Sequence, residues 1–517
     1  MRFRSFMGIA TTLGLVGALS GLLLVRPARN ASPEASPPTV ASVTTAGGGT
    51  AAVAFDIGSI VAEVAPAADA AASEPLGVGP LHTDGGNIVD AQGRVVHISG
   101  VNWFGLETGT FAPQGLWARG LDSMLDQIAQ TGFNTIRLPY SDQLFQADST
   151  PNGIDFQKNP DLQGLSGQQI MDQVITGAGQ RGLKVILDRH RPTAQAQSEL
   201  WYTSDVSEQR WIDDMVMLAN RYKGDPTVIG IDLHNEPHGP ATWGDGNLAT
   251  DWREAAERGG NAVLQANPDW LIFVEGIEHQ ANDWYWWGGN LSLAGQLPVE
   301  LSVPNKLVYE AHDYGPGVNN QKWFSAPDFP NNLAGVWSSE WAYLKLSGTA
   351  PVLIGEFGGH SVGNDIEGVW QRTLLAFLQS NGFDYTYWCW NPNPGDTGGV
   401  LQDDWTTVDT AKVAMLQAYQ WPMLGEPVTA SAAAAVINAY QPPAIVVPAP
   451  GVVPAPAAGV ASFAIGGPFD PDPGHALAGM GGPSDPDPAH RQARQADEQR
   501  YLKEHGAAWP QAVYVTR

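Results

Sequence analysis

The 517-residue sequence predicts an α/β fold, a (β/α)8 TIM barrel with disordered N- and C-terminal extensions. Three observations predict it. Short apolar runs recur roughly every 40 residues from about Leu81 to Tyr419, helical patterns lie between several of them, and polar residues gather where the runs end. A doubly wound open sheet is the structural alternative.

The first element precedes the barrel. Arg2 and Arg4 stand before an uncharged, mostly apolar stretch from Ser5 to Val25, so residues 1–26 read as a signal peptide or signal anchor. Cleavage and release to the outside is the expectation. The alternative keeps residues 5–25 as a membrane tether with the barrel facing outside. Residues 27–79 are rich in Ala, Pro, Ser and Thr, a composition that cannot bury a core, and read as a linker.

The barrel domain is expected over residues 80–425. A hairpin-like Ile88-Val89-Asp90 and the turn Gln92-Gly93 lead in. The eight candidate strands are Val95–Val101, Phe133–Pro139, Leu183–Arg189, Val228–His234, Trp270–Glu275, Lys306–His312, Pro351–Glu356 and Asp384–Trp390. Helical stripes follow several of them: Leu121, Leu125, Ile128 and Ala129; Trp211, Met215, Leu218 and Ala219; Trp370, Leu374, Phe377 and Leu378. Gly132, Gly182 and Gly382 suit helix C-termini before the next strand. Beyond the barrel, residues 426–465 form a second Ala/Pro-rich linker. Residues 466–517 form a low-complexity tail with two Asp-Pro-Asp-Pro repeats, at Gly466–His475 and Gly481–His490. The tail reads as a spacer rather than a metal site.

Composition narrows the partners. A net charge of −26 excludes a polyanion such as nucleic acid, which needs clustered Lys and Arg, and leaves a neutral polymer open. Cys389 is the single cysteine, so no intramolecular disulfide forms. Nineteen Trp residues supply core packing for the most part, and aromatic faces for sugar rings where they are exposed.

The ends of the predicted strands carry the chemistry, because in such a barrel they point into the active site. They read Ile136-Arg137-Leu138-Pro139, Leu187-Asp188-Arg189-His190, His234-Asn235-Glu236-Pro237, Glu275, His312-Asp313-Tyr314, Gly355-Glu356-Phe357-Gly358 and Tyr387-Trp388-Cys389-Trp390. Taken singly, each has an ordinary structural explanation as an ion pair or a hydrogen-bonded side chain. Jointly they place Glu236 and Glu356 on one rim, where one carboxyl protonates a leaving oxygen and the other attacks an anomeric carbon. Arg137, His312 and Tyr314 are expected to donate to Glu356 and keep it ionised; Glu236, beside that charge, is expected to stay protonated.

This ordered set resembles family five glycoside hydrolases, the cellulase family, and within it actinobacterial endo-β-1,4-glucanases. The resemblance covers roughly Leu81 to Tyr419 and includes Trp103-Phe104-Gly105, Asp188-Arg189-His190-Arg191-Pro192 and Tyr285-Trp286-Trp287-Gly288-Gly289-Asn290. It implies a retaining hydrolase of β-glucan with Glu236 as acid/base and Glu356 as nucleophile. It further implies that Asn235 holds the sugar 2-hydroxyl, that Arg137 and Tyr314 position Glu356, and that His190 and His312 line the site. Trp388 resembles the platform under the sugar being cleaved, and Trp117 and Trp287 resemble outer aromatics. Glu275 reads as structural or supporting. The chemistry requires no metal and no cofactor. Trp509 is the only Trp beyond the barrel, so no dedicated carbohydrate-binding module is expected. Positions expected to be paired cysteines in such relatives are here Gly109 with Ala194 and Thr242 with Asp245. Mannan, xyloglucan or mixed-linkage glucan is the alternative substrate; a non-catalytic glycan-binding barrel is the alternative class.

Overall fold

The computed structural model of the protein describes residues 75–425 and 427–429. The expected signal segment, most of the 27–79 linker, nearly all of the 426–465 linker and the repeat tail lie outside the described residues. Eight parallel strands close a barrel: β1 (Ser99–Asn102), β2 (Thr135–Ser141), β3 (Lys184–Arg191), β4 (Val228–Asp232), β5 (Leu271–Glu275), β6 (Leu307–His312), β7 (Val352–Glu356) and β8 (Asp384–Tyr387), with β8 paired to β1. Their residues are buried almost throughout, as strands covered on both faces must be.

Helices α1 (Leu121–Thr131), α2 (Gly167–Gln180), α3 (Glu208–Arg221) and α4 (Trp252–Ala266) follow the first four strands. Local chemistry sets their ends. Ser166 and Gln169 form a reciprocal capping box on α2, and Ser207 and Asp251 cap α3 and α4. Gly132 ends α1 at φ 99°, a left-handed conformation open to glycine. After β6, α5 (Leu333–Trp337) passes through a π turn (Ser338–Ala342) into α6 (Tyr343–Leu346); α7 (Ile366–Ser380) follows β7 and α8 (Thr410–Gln417) follows β8.

Two expectations are corrected. The eight strand–helix repeats are broken between β5 and β6, where a two-stranded ribbon (His279–Gln280 with Asp283–Trp284) and the Trp-rich loop replace a helix. The first barrel strand begins at Ser99 rather than Val95. Val95–Val96 instead joins His82–Asp84 and Asn87–Val89 in a separate antiparallel sheet, and the His97 ring between them stacks on Trp421 at 4.1 Å.

That small sheet closes the amino-terminal end of the barrel. Leu81, Ile88, Val96 and Ile98 pack with inward residues Ile186, Phe273, Val308 and Leu353, and with Leu424 from the far end of the domain. Leu76 joins this cluster, the Gly77 N–H donates to Asp90, and the Val428 N–H donates to Gly179. The packed fold therefore reaches a few residues beyond 80 and 425 on either side. The opposite end stays open to chemistry.

Candidate active site

Arg137 on β2 organises the site. It is fully buried and touches side chains from six other strands or strand ends, which places it near the barrel axis. Its Nη1 donates to Asn102 at 3.0 Å and Glu356 at 2.7 Å and lies 2.9 Å from Asp188. Its Nη2 donates to Asp232 at 2.6 Å, Asn235 at 3.0 Å and Glu275 at 3.2 Å, and its Nε pairs with Glu310 at 3.0 Å. One guanidinium thus serves five buried carboxylates.

Five negative charges around one positive charge cannot all persist out of water, so some of the acids hold protons. Burial pushes Asp188 and Asp232 up to about 6 against the pull of Arg137. Glu275 and Glu310 are raised well above the usual carboxylate range by burial and then by the charge of Asp232, with Glu310 adding to the rise of Glu275. Burial pushes Glu356 up to about 8, while Arg137 and the Tyr314 hydroxyl pull it down.

Glu356 ends β7. Arg137 donates to its Oε1 and Tyr314 Oη donates to its Oε2 at 2.6 Å. Both recorded bonds come from donors, which is the environment of a carboxylate. Glu236 follows β4 and sits at φ 51°, a left-handed backbone costly for a side-chain-bearing residue. Its N–H donates to Glu275 Oε2 at 2.9 Å, and its own Oε2 accepts from Gln197 Nε2 at 2.9 Å. An oxygen of Glu236 and one of Glu356 lie within 4.8 Å of each other.

His312 is a third correction. Its Nδ1 meets Glu236 Oε1 at 2.9 Å and is 3.7 Å from Glu356, so it supports the first glutamate rather than the second. Burial and the nearby Arg137 hold His312 well below its usual pKa, and the same causes act on His190. Both rings are neutral, each with one donor and one acceptor nitrogen. His190 bonds Asp188 through Nδ1 at 2.6 Å and lies 4.0 Å from Glu356.

The aromatic residues divide. Trp287 is half-buried, stacks on His238 at 3.8 Å and lines a groove of about 170 Å³ with Glu236, Tyr314 and Trp284. Trp388 lies parallel to His190 at 5.6 Å and to Phe104 at 5.5 Å, and is only 1% exposed. Trp117 stands apart from this cluster, exposed and edge-on to Trp405. Glu236, Glu356, Arg137, His190, Asn235, His312 and Tyr314 therefore converge, with Trp287 and Trp388 beside them.

Sequence reasoning missed Asn102, Asp232, Glu310, Gln197 and Trp284. Asp232 and Glu310 left a signal: a carboxylate inside an apolar strand run has to find a buried partner. Trp284 is 53% exposed at the ribbon edge, backed by the His279 ring at 4.2 Å. Among the described residues, three carboxylate–histidine groups, such as Glu236, His312 and Glu356, bring metal-ligating atoms together. The Arg137 guanidinium already supplies the positive charge there. At the positions of the expected cysteine pairs, hydrogen bonds hold the loops: Asn152 to Gly109, Ala194 to Gln143, Thr242 to Thr250, and Asp251 to the Gly244 and Gly246 N–H groups.

Comparisons with known proteins bear on the fold and the family. Residues 89–394 match the model of the cellulase family, glycosyl hydrolase family 5. The chain is 54% identical over 360 residues to an endoglucanase of Paenibacillus polymyxa, covering 69% of this chain and 91% of the relative. The catalytic domain of the major endoglucanase from Xanthomonas campestris superposes with TM-score 0.62 at 45% identity, over 66% of this chain and 99% of that one. An endocellulase from Pyrococcus horikoshii in complex with cellotetraose gives TM-score 0.62 at 42% identity, over 67% and 100%. With the barrel and the greater part of the sequence in agreement, the chain belongs to the cellulase family, glycosyl hydrolase family 5.

Proposed function

We propose that the chain is a retaining endo-β-1,4-glucanase that cleaves β-glucan by double displacement, with Glu356 as nucleophile and Glu236 as acid/base. The observation that carries the reading is the approach of their carboxyl oxygens to within 4.8 Å. Retaining pairs stand about 5–5.5 Å apart and inverting pairs about 6.5–9.5 Å, the wider gap holding a water. The endoglucanases and the cellotetraose-binding endocellulase among its relatives support β-1,4-glucan as the substrate.

In the first step Glu356 attacks the anomeric carbon as Glu236 protonates the departing glycosidic oxygen, and a glycosyl-enzyme forms. Glu236, now ionised, takes a proton from water, which displaces Glu356 and releases the sugar. Arg137 occupies the Asn235 Oδ1, which leaves the amide nitrogen to face a sugar 2-hydroxyl. Trp388, parallel to His190, is the platform beneath the cleaved sugar; Trp287 and Trp117 serve outer positions. The arginine pair and apolar stretch at the N-terminus support export, with a retained anchor as the second form.

Proton NMR of the earliest product decides the stereochemistry. The β-anomer is expected first on soluble cellulose derivatives, and an α-anomer appearing first would overturn both the retaining mechanism and the two roles. A panel of cellulose, mannan, xyloglucan and mixed-linkage glucan with reducing-end detection fixes the polysaccharide; strongest turnover on mannan would overturn the β-1,4-glucan assignment.

A further inference from the structure

We infer that Glu275 is a positioning residue for Glu236, holding the proposed acid/base from its main chain. The inference rests on the acid/base reading of Glu236.

Glu275 ends β5 and is fully buried. Its Oε2 accepts the Glu236 N–H at 2.9 Å, the bond that ties down a left-handed backbone at φ 51°. Its Oε1 accepts from Arg137 at 3.2 Å and faces His312 Nε2 at 3.3 Å, while the other nitrogen of that ring meets Glu236 Oε1 at 2.9 Å. Glu275 therefore bonds the main chain of Glu236 and packs against the ring that meets its carboxyl. Its own backbone carbonyl accepts the Trp252 indole N–H at 2.8 Å, which fixes the strand end. Gly288 makes room for the carboxyl: a Cβ there would stand 1.8 Å from Glu275 Oε2 and 3.2 Å from the Glu236 Cα.

An unpartnered buried N–H is costly, so without Glu275 the Glu236 backbone would leave the left-handed region to find another acceptor. The carboxyl would move with it. A proton donor must lie within hydrogen-bond reach of the oxygen it protonates, so general-acid assistance would fall. Glu275→Gln keeps the shape but not the pattern. Its amide nitrogen would face either the Glu236 N–H or the Arg137 guanidinium, donor against donor.

The test measures the first step directly, as the pre-steady-state release of phenols of graded acidity from aryl β-cellobiosides by the full chain. An acidic phenol leaves without a proton; a weakly acidic one needs Glu236. For Glu275→Gln the rate ratio of acidic to weakly acidic phenols should rise about tenfold or more, part of the ~10²–10⁴ that a general acid supplies. Glu236→Ala, run in parallel, should raise it further. An equal loss on every phenol, or no loss, would overturn the role of Glu275. Should Glu236→Ala leave the ratio unchanged, the acid/base reading itself fails, which separates the two failures. If Glu275→Gln does not fold, Gly288→Ala presses on the same carboxyl from the other side. It should raise the ratio in the same direction, and a uniform loss there would overturn the proposal.

Discussion

Replacing Tyr314 by Phe removes one hydroxyl and tests how Glu356 is kept ionised. Tyr314 Oη donates to Glu356 Oε2 at 2.6 Å, and Arg137 donates to the other oxygen at 2.7 Å. Burial opposes both and pushes the carboxyl up to about 8. A hydrogen bond to a charged group contributes about 1.5–3 kcal/mol. At 1.36 kcal/mol per pH unit, its loss raises the Glu356 pKa by roughly one to two units. The nucleophile is the carboxylate, the form present above the pKa, so a higher pKa moves the rising limb of kcat/KM to higher pH. Below that limb, activity should fall about ten- to a hundredfold against the intact enzyme, and raising the pH should recover part of it. The assay is a pH profile of kcat/KM on an aryl cellobioside in the free enzyme. A limb that stays in place, or moves to lower pH, would refute the claim that Tyr314 stabilises the Glu356 carboxylate.

Two further predictions follow from the edges of the domain and of the groove. A chain cut to residues 81–422 loses Leu76 and Leu424 from the barrel floor, so it should be about 2 kcal/mol or more less stable than residues 75–429, the cost of a buried leucine; equal urea midpoints would show that neither contributes. Trp284→Ala should leave the melting temperature almost unchanged, because the ring is 53% exposed, while raising KM about two- to tenfold on long glucan but not on short aryl glycosides. A uniform KM on both would remove Trp284 from the groove.

The barrel and its paired glutamates were legible because each strand run ends in a polar cluster that solvent-facing turns would not need. Arg137, Asn235, Glu236, Tyr314 and Glu356 could be placed on one rim without distances. His312 could not be assigned to the correct glutamate, since both lie within reach of one ring and only the distances, 2.9 Å against 3.7 Å, decide. Asp232 and Glu310 were passed over because the expected strands ran past them, to His234 and His312, and within a run alternation alone leaves the inward face undetermined. Val95–Val96 looked continuous with β1 because a run of β-branched residues carries no mark of the sheet it joins. The missing helix between β5 and β6 was hidden by the assumption of regular repeats, although the Trp-rich segment there carries no helical stripe.

The excess of acid around Arg137 then acquires a chemical meaning. A ring of neutral or basic groups at the barrel mouth would suit an anionic substrate; here five carboxylates face one guanidinium, and the chain as a whole carries a charge of −26. The transition state of glycoside cleavage is oxocarbenium-like, with positive charge growing on the sugar ring. A buried site that leans negative stabilises that charge through a low-dielectric medium, and a neutral glucan pays no Coulombic penalty on entry. Burial first, and the neighbouring carboxylates after it, pushes Glu275, Glu310 and Glu356 upward in pKa against the pull of Arg137. Arg137 alone cannot then keep Glu356 ionised, which is why the Tyr314 hydroxyl has to donate to the same carboxylate.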